Sequence, residues 1–274
     1  MKIIAQNQMN LLQILALLSP DSSKTTLRSW LELGRVSVDG KVAKRGDLPI
    51  LEGQTIEVGK KAHVIRHDIK ILFEDLHLVV IEKPEGLLSV ATDFDKSVNA
   101  HTILKDRVHP RRVYPVHRLD RETSGIMVFA YSEAAREGLK EQFFYHTIER
   151  EYHALVEGKL EPADGSTRGT WKSLLKEDLM YRVSSHPHQG REAITHYEIV
   201  KYTRQLTLVR FILETGRKNQ IRVHCHDAKH PIFGDIKYGS VMEGFPRLCL
   251  HASRLVFIHP ETKKQLSFTS RIPF

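Results

Sequence analysis

The chain reads as an α+β fold: a mainly antiparallel, mixed sheet with flanking helices around a central cleft, preceded by a small α/β unit. Three observations carry that expectation. Strand-like apolar runs follow one another at 151–156, 193–200, 206–213 and 250–258, and a single helical pattern interrupts them at 219–229, where Ile221, Cys225 and Ala228 share one side. That order excludes alternating βαβ units, whose parallel strands each need a crossover helix. The first residues carry helix and hairpin signals of their own, and a polar stretch, K-K-A-H-V-I-R-H-D-I-K, separates them from the rest. The expected organisation is a small domain over 1–59, a linker over 60–70 and a large domain over 71–274, in a chain of 274 residues that can bury a substantial core.

The elements follow in order. Residues 11–18 are apolar and end at Ser19-Pro20. A bilayer span needs roughly 20 apolar residues, so this run reads as a packed helix and no membrane association is expected. Leu27, Trp30 and Leu31 recur at helical spacing, with Gly34 placed to end that helix. Val36, Val38 and Val42 flank Asp39-Gly40, a hairpin signal because both central positions need positive φ. Residues 53–58, G-Q-T-I-E-V, supply another strand. In the large domain 78–81 reads as a buried strand, and Pro84 and Gly86 mark the turn after it. Ser132 is placed to cap a helix in which Ala135, Leu139 and Phe143 share a face. The stretch 157–190 mixes Gly, Pro, His and charges, and variable loops are expected there.

Lys and Arg number 41 against 33 Asp and Glu, a net charge of +8 with 16 His held neutral, which favours a polyanionic partner. The first domain concentrates this charge in Lys24, Arg28, Arg35, Lys41, Lys44 and Arg45, with Glu32 and Asp39 the only acids between Lys24 and Arg45. Such a balance suits phosphate contact, although a solvated helix and hairpin with ordinary lysines has the same composition. Cys225 and Cys249 are the only cysteines, and the N-terminus shows no secretory pattern, so a cytoplasmic location is expected.

His117-Arg118-Leu119-Asp120 followed by Thr123-Ser124-Gly125 resembles the H-R-L-D-x-x-T-S-G signature of the RluA-type pseudouridine synthases, which convert uridine to pseudouridine within RNA. Further residues continue the resemblance. Residues 82–89 are similar to its K-P-x-G-L-L-S turn, Arg150 to Val156 to its K-x-Y-x-A-L-V strand, and Gly216 to His224 to its G-R-x-H-Q-I-R-V-H element. His230-Pro231-Ile232-Phe233-Gly234-Asp235 follows on. In isolation Asp120 would read as a loop-capping aspartate, Tyr152 as strand packing and Arg222 as an exposed helix cation. The resemblance implies instead that Asp120 is the catalytic carboxylate, that Tyr152 stacks on the target uracil and assists proton removal, and that Arg222 pairs with Asp120. It also implies that Arg118 and Arg217 contact RNA, Arg118 by holding a flipped conformation. Whether attack falls on the ribose or on carbon 6 of uracil stays open.

Asn219 departs from the pattern, standing where the family commonly has His. No cofactor or metal is implied. His224-Cys225-His226 with His230 invites a zinc reading, but consecutive helical residues diverge in direction. The first domain, with L-G-R-V-S-V-D-G-K, is similar to the small RNA-binding domain named after small-subunit ribosomal protein S-four. The expected partner is therefore RNA, ribosomal RNA of the large subunit ahead of transfer RNA, bound by a monomer. A non-catalytic RNA-binding or ribosome-assembly protein on the same fold is the competing class.

Overall fold

In the first unit, β1 (Lys2–Ile4) and β2 (Met9–Asn10) precede α1 (Leu11–Leu18), whose first turn is closed by reciprocal bonds between Asn10 and Gln13. Leu11, Ile14 and Leu15 lie on its buried face. They pack on Leu27, Trp30 and Leu31 of α2 (Lys24–Glu32). β3 (Val36–Val38) and β4 (Lys41–Val42) form the expected hairpin, with Asp39 at φ 48° and Gly40 at φ 78°. β5 (Pro49–Ile50) pairs with β2, and β6 (Thr55–Val58) joins a sheet ordered β1-β6-β3-β4. A computed structural model describes the chain except residues 1, 33–35, 44, 59–68, 93–94, 163 and 242–246, and the side chains of 29, 32, 41 and 42. Gly34 and most of the expected linker lie outside the described residues. The chain divides into two compact units, Met1–Arg66 and His67–Phe274. Among the described residues no helix is long and apolar enough to cross a membrane.

The second unit contains β7 (Lys70–Glu74), β8 (Leu78–Lys83), α3 (Ala100–Val108), β9 (Tyr114–Pro115), β10 (Ser124–Ala130) and α4 (Glu133–Phe144). After them come β11 (Glu149–Glu157), β12 (Arg168–Glu177), β13 (Val183–His186), β14 (Arg191–Tyr202), β15 (Leu206–Leu213), α5 (Gln220–Asp227), β16 (Leu250–Ile258) and β17 (Gln265–Thr269). The sheet runs β13-β12-β14-β15-β11-β16-β10-β8-β7, with β17 on β16 and β9 on β10. Its described pairings are antiparallel except β10 with β16, so the fold is α+β with a large mixed sheet.

β10 is buried along its whole length because both faces are covered. Met127 and Phe129 enter one cluster with α3, while Ile126, Val128 and Ala130 enter another with α4. Ser132 caps α4 by accepting from the Ala135 amide. The expectation of loops over 157–190 is corrected: β12 and β13 lie there, hydrogen-bonded to each other, and β12 also pairs with β14. β12 alternates half-buried and exposed positions near the sheet edge, so its strand character rests on backbone pairing that leaves little apolar contrast in the sequence.

One face of this sheet carries an ion ladder across five strands. Arg168 on β12 pairs with Glu198 on β14 at 2.6 Å, and Glu198 with Arg210 on β15 at 3.4 Å. Arg210 reaches Glu151 on β11 at 3.9 Å, and Arg254 on β16 joins Glu151 at 3.0 Å and Glu149 at 2.7 Å. Side chains alternate along a strand, so Tyr152 points to the opposite face from Glu151. α5 covers that opposite face, placing Ile221 and Cys225 against Ala154, Val156 and Phe211.

Candidate active site

The loop ahead of β10, the middle of β11 and the start of α5 converge on a cleft of about 480 Å³. Arg118, Asp120, Tyr152, Arg217 and Arg222 all line it. Local chemistry fixes each contributor. The Ser89 hydroxyl donates to the Leu119 carbonyl at 2.7 Å and accepts from the Leu119 amide at 3.0 Å. The buried Lys83 ammonium donates to the Arg121 carbonyl at 3.1 Å, and to the carbonyls of Pro84 and Leu87. The turn after β8 thus grips the backbone on both sides of Asp120. Burial pulls the Lys83 pKa down to about 7, opposed by the nearby Asp120 and Glu122 carboxylates, while three carbonyl acceptors use all three ammonium protons. His117 accepts from the Val128 amide and stacks on Phe143 at 4.6 Å, and burial drops its pKa to about 3, so the ring is neutral.

Gly125 is a requirement of geometry. It has φ 122°, and a Cβ there would sit 2.2 Å from the Ala252 carbonyl oxygen. Only a residue without a side chain lets β10 lie against β16 directly after the Asp120 loop. Beside Glu151 and Tyr152 the register between β11 and β16 shifts by one, leaving Ser253 of β16 as the extra residue, while β11 stays in regular register with β15 and keeps its alternation.

Arg222 is 7% exposed and holds Asp235 through two bonds of 2.7 Å, a bidentate fork. Its remaining Nη1 faces the Asn219 amide oxygen at 3.3 Å, Glu122 at 3.4 Å and Asp120 at 3.9 Å. Asn219 adopts φ 56°, a left-handed conformation Asn tolerates, and its amide nitrogen donates to the Tyr238 hydroxyl at 3.0 Å. The Arg222 guanidinium lies 5.0 Å from the Tyr238 ring centre. Burial raises the Asp120 pKa, Arg222 works against that rise, and Glu122 adds to it; the net direction is upward. Burial also raises the Tyr152 phenol, so its proton is held firmly.

Asp235, Lys83, Ser89, Glu122 and Asn219 were given no role by sequence reasoning, although all lie within motifs that carried the resemblance. His224 is buried, with its ring nitrogens bonded to the Thr195 and Ser173 hydroxyls at 2.9 and 3.0 Å. The N-terminal cations belong to the first unit: Lys24 and Arg28 are exposed one turn apart on α2, and Arg45 is forked onto Asp47. Lys41 contributes its backbone to β4, and Arg35 and Lys44 lie outside the described residues.

A family model for RNA pseudouridylate synthases matches residues 77–227, which spans the Asp120 loop, β11 and α5. The chain belongs to this family. The synthase is thus an isomerase acting on RNA: the bond from uracil nitrogen 1 to the ribose breaks, a bond from carbon 5 forms, and nothing is added or lost. It is 32% identical to the ribosomal large subunit pseudouridine synthase D of Xanthomonas campestris pv. campestris, over 95% of this chain and 84% of that protein. It is also 32% identical to the protein of the same name in Vibrio parahaemolyticus, over 95% and 86%. Human RNA pseudouridylate synthase domain containing 1 shares the fold, with TM-score 0.62 and 23% identity over 76% of this synthase and 84% of that chain.

Proposed function

We propose that the synthase isomerises uridines in large-subunit ribosomal RNA, in the cleft lined by Asp120, Tyr152 and Arg222. One observation carries this reading. A largely buried carboxylate and a guanidinium lie 3.9 Å apart in the wall of a cleft of about 480 Å³, within the size range of small-ligand sites. Asp120 supplies the negative charge that attacks the nucleoside or stabilises the cation developing on it. Arg222, anchored by Asp235, keeps Nη1 turned toward that charge. Tyr152 offers a ring to stack on uracil and a protonated hydroxyl. Since its pKa is raised, it serves as a donor and not as a phenolate base, so any part in removing the carbon 5 proton runs through another acceptor. Arg118 and Arg217, on the cleft wall, suit phosphate or vacated-base contacts. The names of the two bacterial relatives support ribosomal RNA as substrate. Pseudouridine mapping of total RNA from cells with and without the synthase tests it: sites lost from large-subunit RNA are expected, and losses confined to transfer RNA would reassign the substrate.

The first domain, 1–59, acts in this reading as an S-four-like RNA-binding module joined through 60–70 to the catalytic domain, 71–274, in a monomeric, cytoplasmic enzyme. Lys24 and Arg28 present two adjacent exposed charges to phosphate. Replacing both by Ala should reduce the slope of log affinity against log salt by roughly 1.5, from about 0.7–0.9 per lost phosphate contact. An unchanged slope in a binding titration would remove those residues from the RNA surface.

A further inference from the structure

We infer that Phe144 and Tyr145 form a stacking platform for unpaired RNA bases that flank the target uridine; this rests on reading the cleft as the RNA site. The two rings are 75% and 64% exposed. Their centres lie 5.1 Å apart at an interplanar angle of 86°. Phe144 and His146 line the same cleft as Asp120, and Tyr145 sits between them in sequence.

A fully bonded turn holds them outward. α4 ends with the Tyr145 amide donating to the Glu141 carbonyl, the His146 amide to Phe143 and the Thr147 amide to Gln142. The last two bonds make the six-to-one and five-to-two pattern that closes a helix through a left-handed residue, here His146 at φ 57°. A side chain other than glycine in that conformation costs free energy, and the turn keeps it while turning Phe143 inward onto His117 and its two successors out.

The surroundings select the occupant. Glu137, Lys140 and Glu141 are exposed on the same helix end, so the rings are an isolated aromatic pair and not part of a broad apolar patch suited to a protein partner. The cleft that Phe144 lines carries Arg118 and Arg217, with Lys218 beside them paired to Glu177. Aromatic faces beside cations that track a phosphate chain are the recognition chemistry of single-stranded nucleic acid. The platform is thus continuous with the site that takes the extruded nucleotide, and it reads unpaired neighbours by stacking without base-specific hydrogen bonds.

The test uses the full chain and an RNA hairpin whose loop carries a uridine identified by the cellular mapping, with 5-bromouridine at single flanking positions. Irradiation of the Asp120→Asn variant complex should give adducts on Phe144 or Tyr145 by mass spectrometry. The Phe144→Ala/Tyr145→Ala variant should raise KM for the unmodified hairpin roughly tenfold while kcat stays within about twofold, because stacking acts on binding. Adducts elsewhere together with an unchanged KM would overturn the platform. Loss of a dimer in sedimentation of the double variant, with KM unchanged, would assign the rings to a second copy of the chain and overturn it too. Wild-type enzyme that binds but makes no pseudouridine in this hairpin would overturn the reading of the cleft along with it, whereas normal wild-type turnover with an indifferent double variant sinks the platform alone.

Discussion

Asp120→Asn is expected to abolish pseudouridine formation, a loss on the order of 10⁴-fold or more, while RNA affinity changes by less than about threefold. Asn keeps the shape of Asp and loses only the charge that the chemistry needs. Arg222 remains forked onto Asp235, so its position does not depend on Asp120. Residual turnover within about tenfold of wild type, measured by release of tritium from carbon 5 of labelled RNA, would remove Asp120 from its role. The pKa direction adds a signed corollary. Asp120 titrates higher in the folded chain than in the unfolded one, so above the ordinary carboxylate range the folded state binds more protons and stability falls as pH rises. At neutral pH the ionised carboxylate therefore costs stability, and the Asn variant should melt at a higher temperature than wild type. The same shift places the acid limb of kcat/KM above the usual carboxylate range. Glu122→Gln, which removes a like charge, should move that limb to lower pH.

Gly125→Ala is expected to destabilise the catalytic unit by roughly 3–5 kcal/mol, from a left-handed conformation without glycine plus a backbone collision that only strand displacement relieves. At about 2–4 °C per kcal/mol for a unit of this size, the melting temperature should fall by on the order of 10 °C. Gly86→Ala is the control, because Gly86 has φ 73° but nothing within 4 Å of its added Cβ. If both variants lost the same small amount in thermal denaturation, the close approach of β10 to β16 would not be what position 125 demands. Activity should fall further than stability explains, since the displaced strand carries the Asp120 loop.

The fold class was legible because strands β11, β14 and β15 bury one face each against a common core and β16 is buried almost throughout, and burial writes itself into apolar spacing. The strands β12 and β13 were not. Their residues are largely polar, and the pairing that makes them strands comes from backbone groups every residue possesses. α3 left a signal that was passed over: Asn99 and Thr102 close its first turn, ahead of buried Ala100, Ile103 and Leu104. In the site, motif order pointed to Asp120, Tyr152 and Arg222, which the fold brings to one cleft. The grip of Asp235 on Arg222 was hidden, because it exists only once the chain beyond α5 folds back onto the helix. Gly125 was visible as a letter in a signature, but its cause is a backbone far along the chain at Ala252.

The ladder of Arg168, Glu198, Arg210, Glu151, Arg254 and Glu149 sums to zero charge on the sheet face turned away from the cleft. A tumbling nucleic acid that drifts toward that side meets a surface whose attractions and repulsions cancel within a few ångströms, so collisions there are brief. The cleft on the other side is lined by Arg118, Arg150, Arg217, Lys218 and Arg222 against Asp120 among its described residues, and that excess of positive charge biases first encounters toward the half of the molecule where turnover can occur.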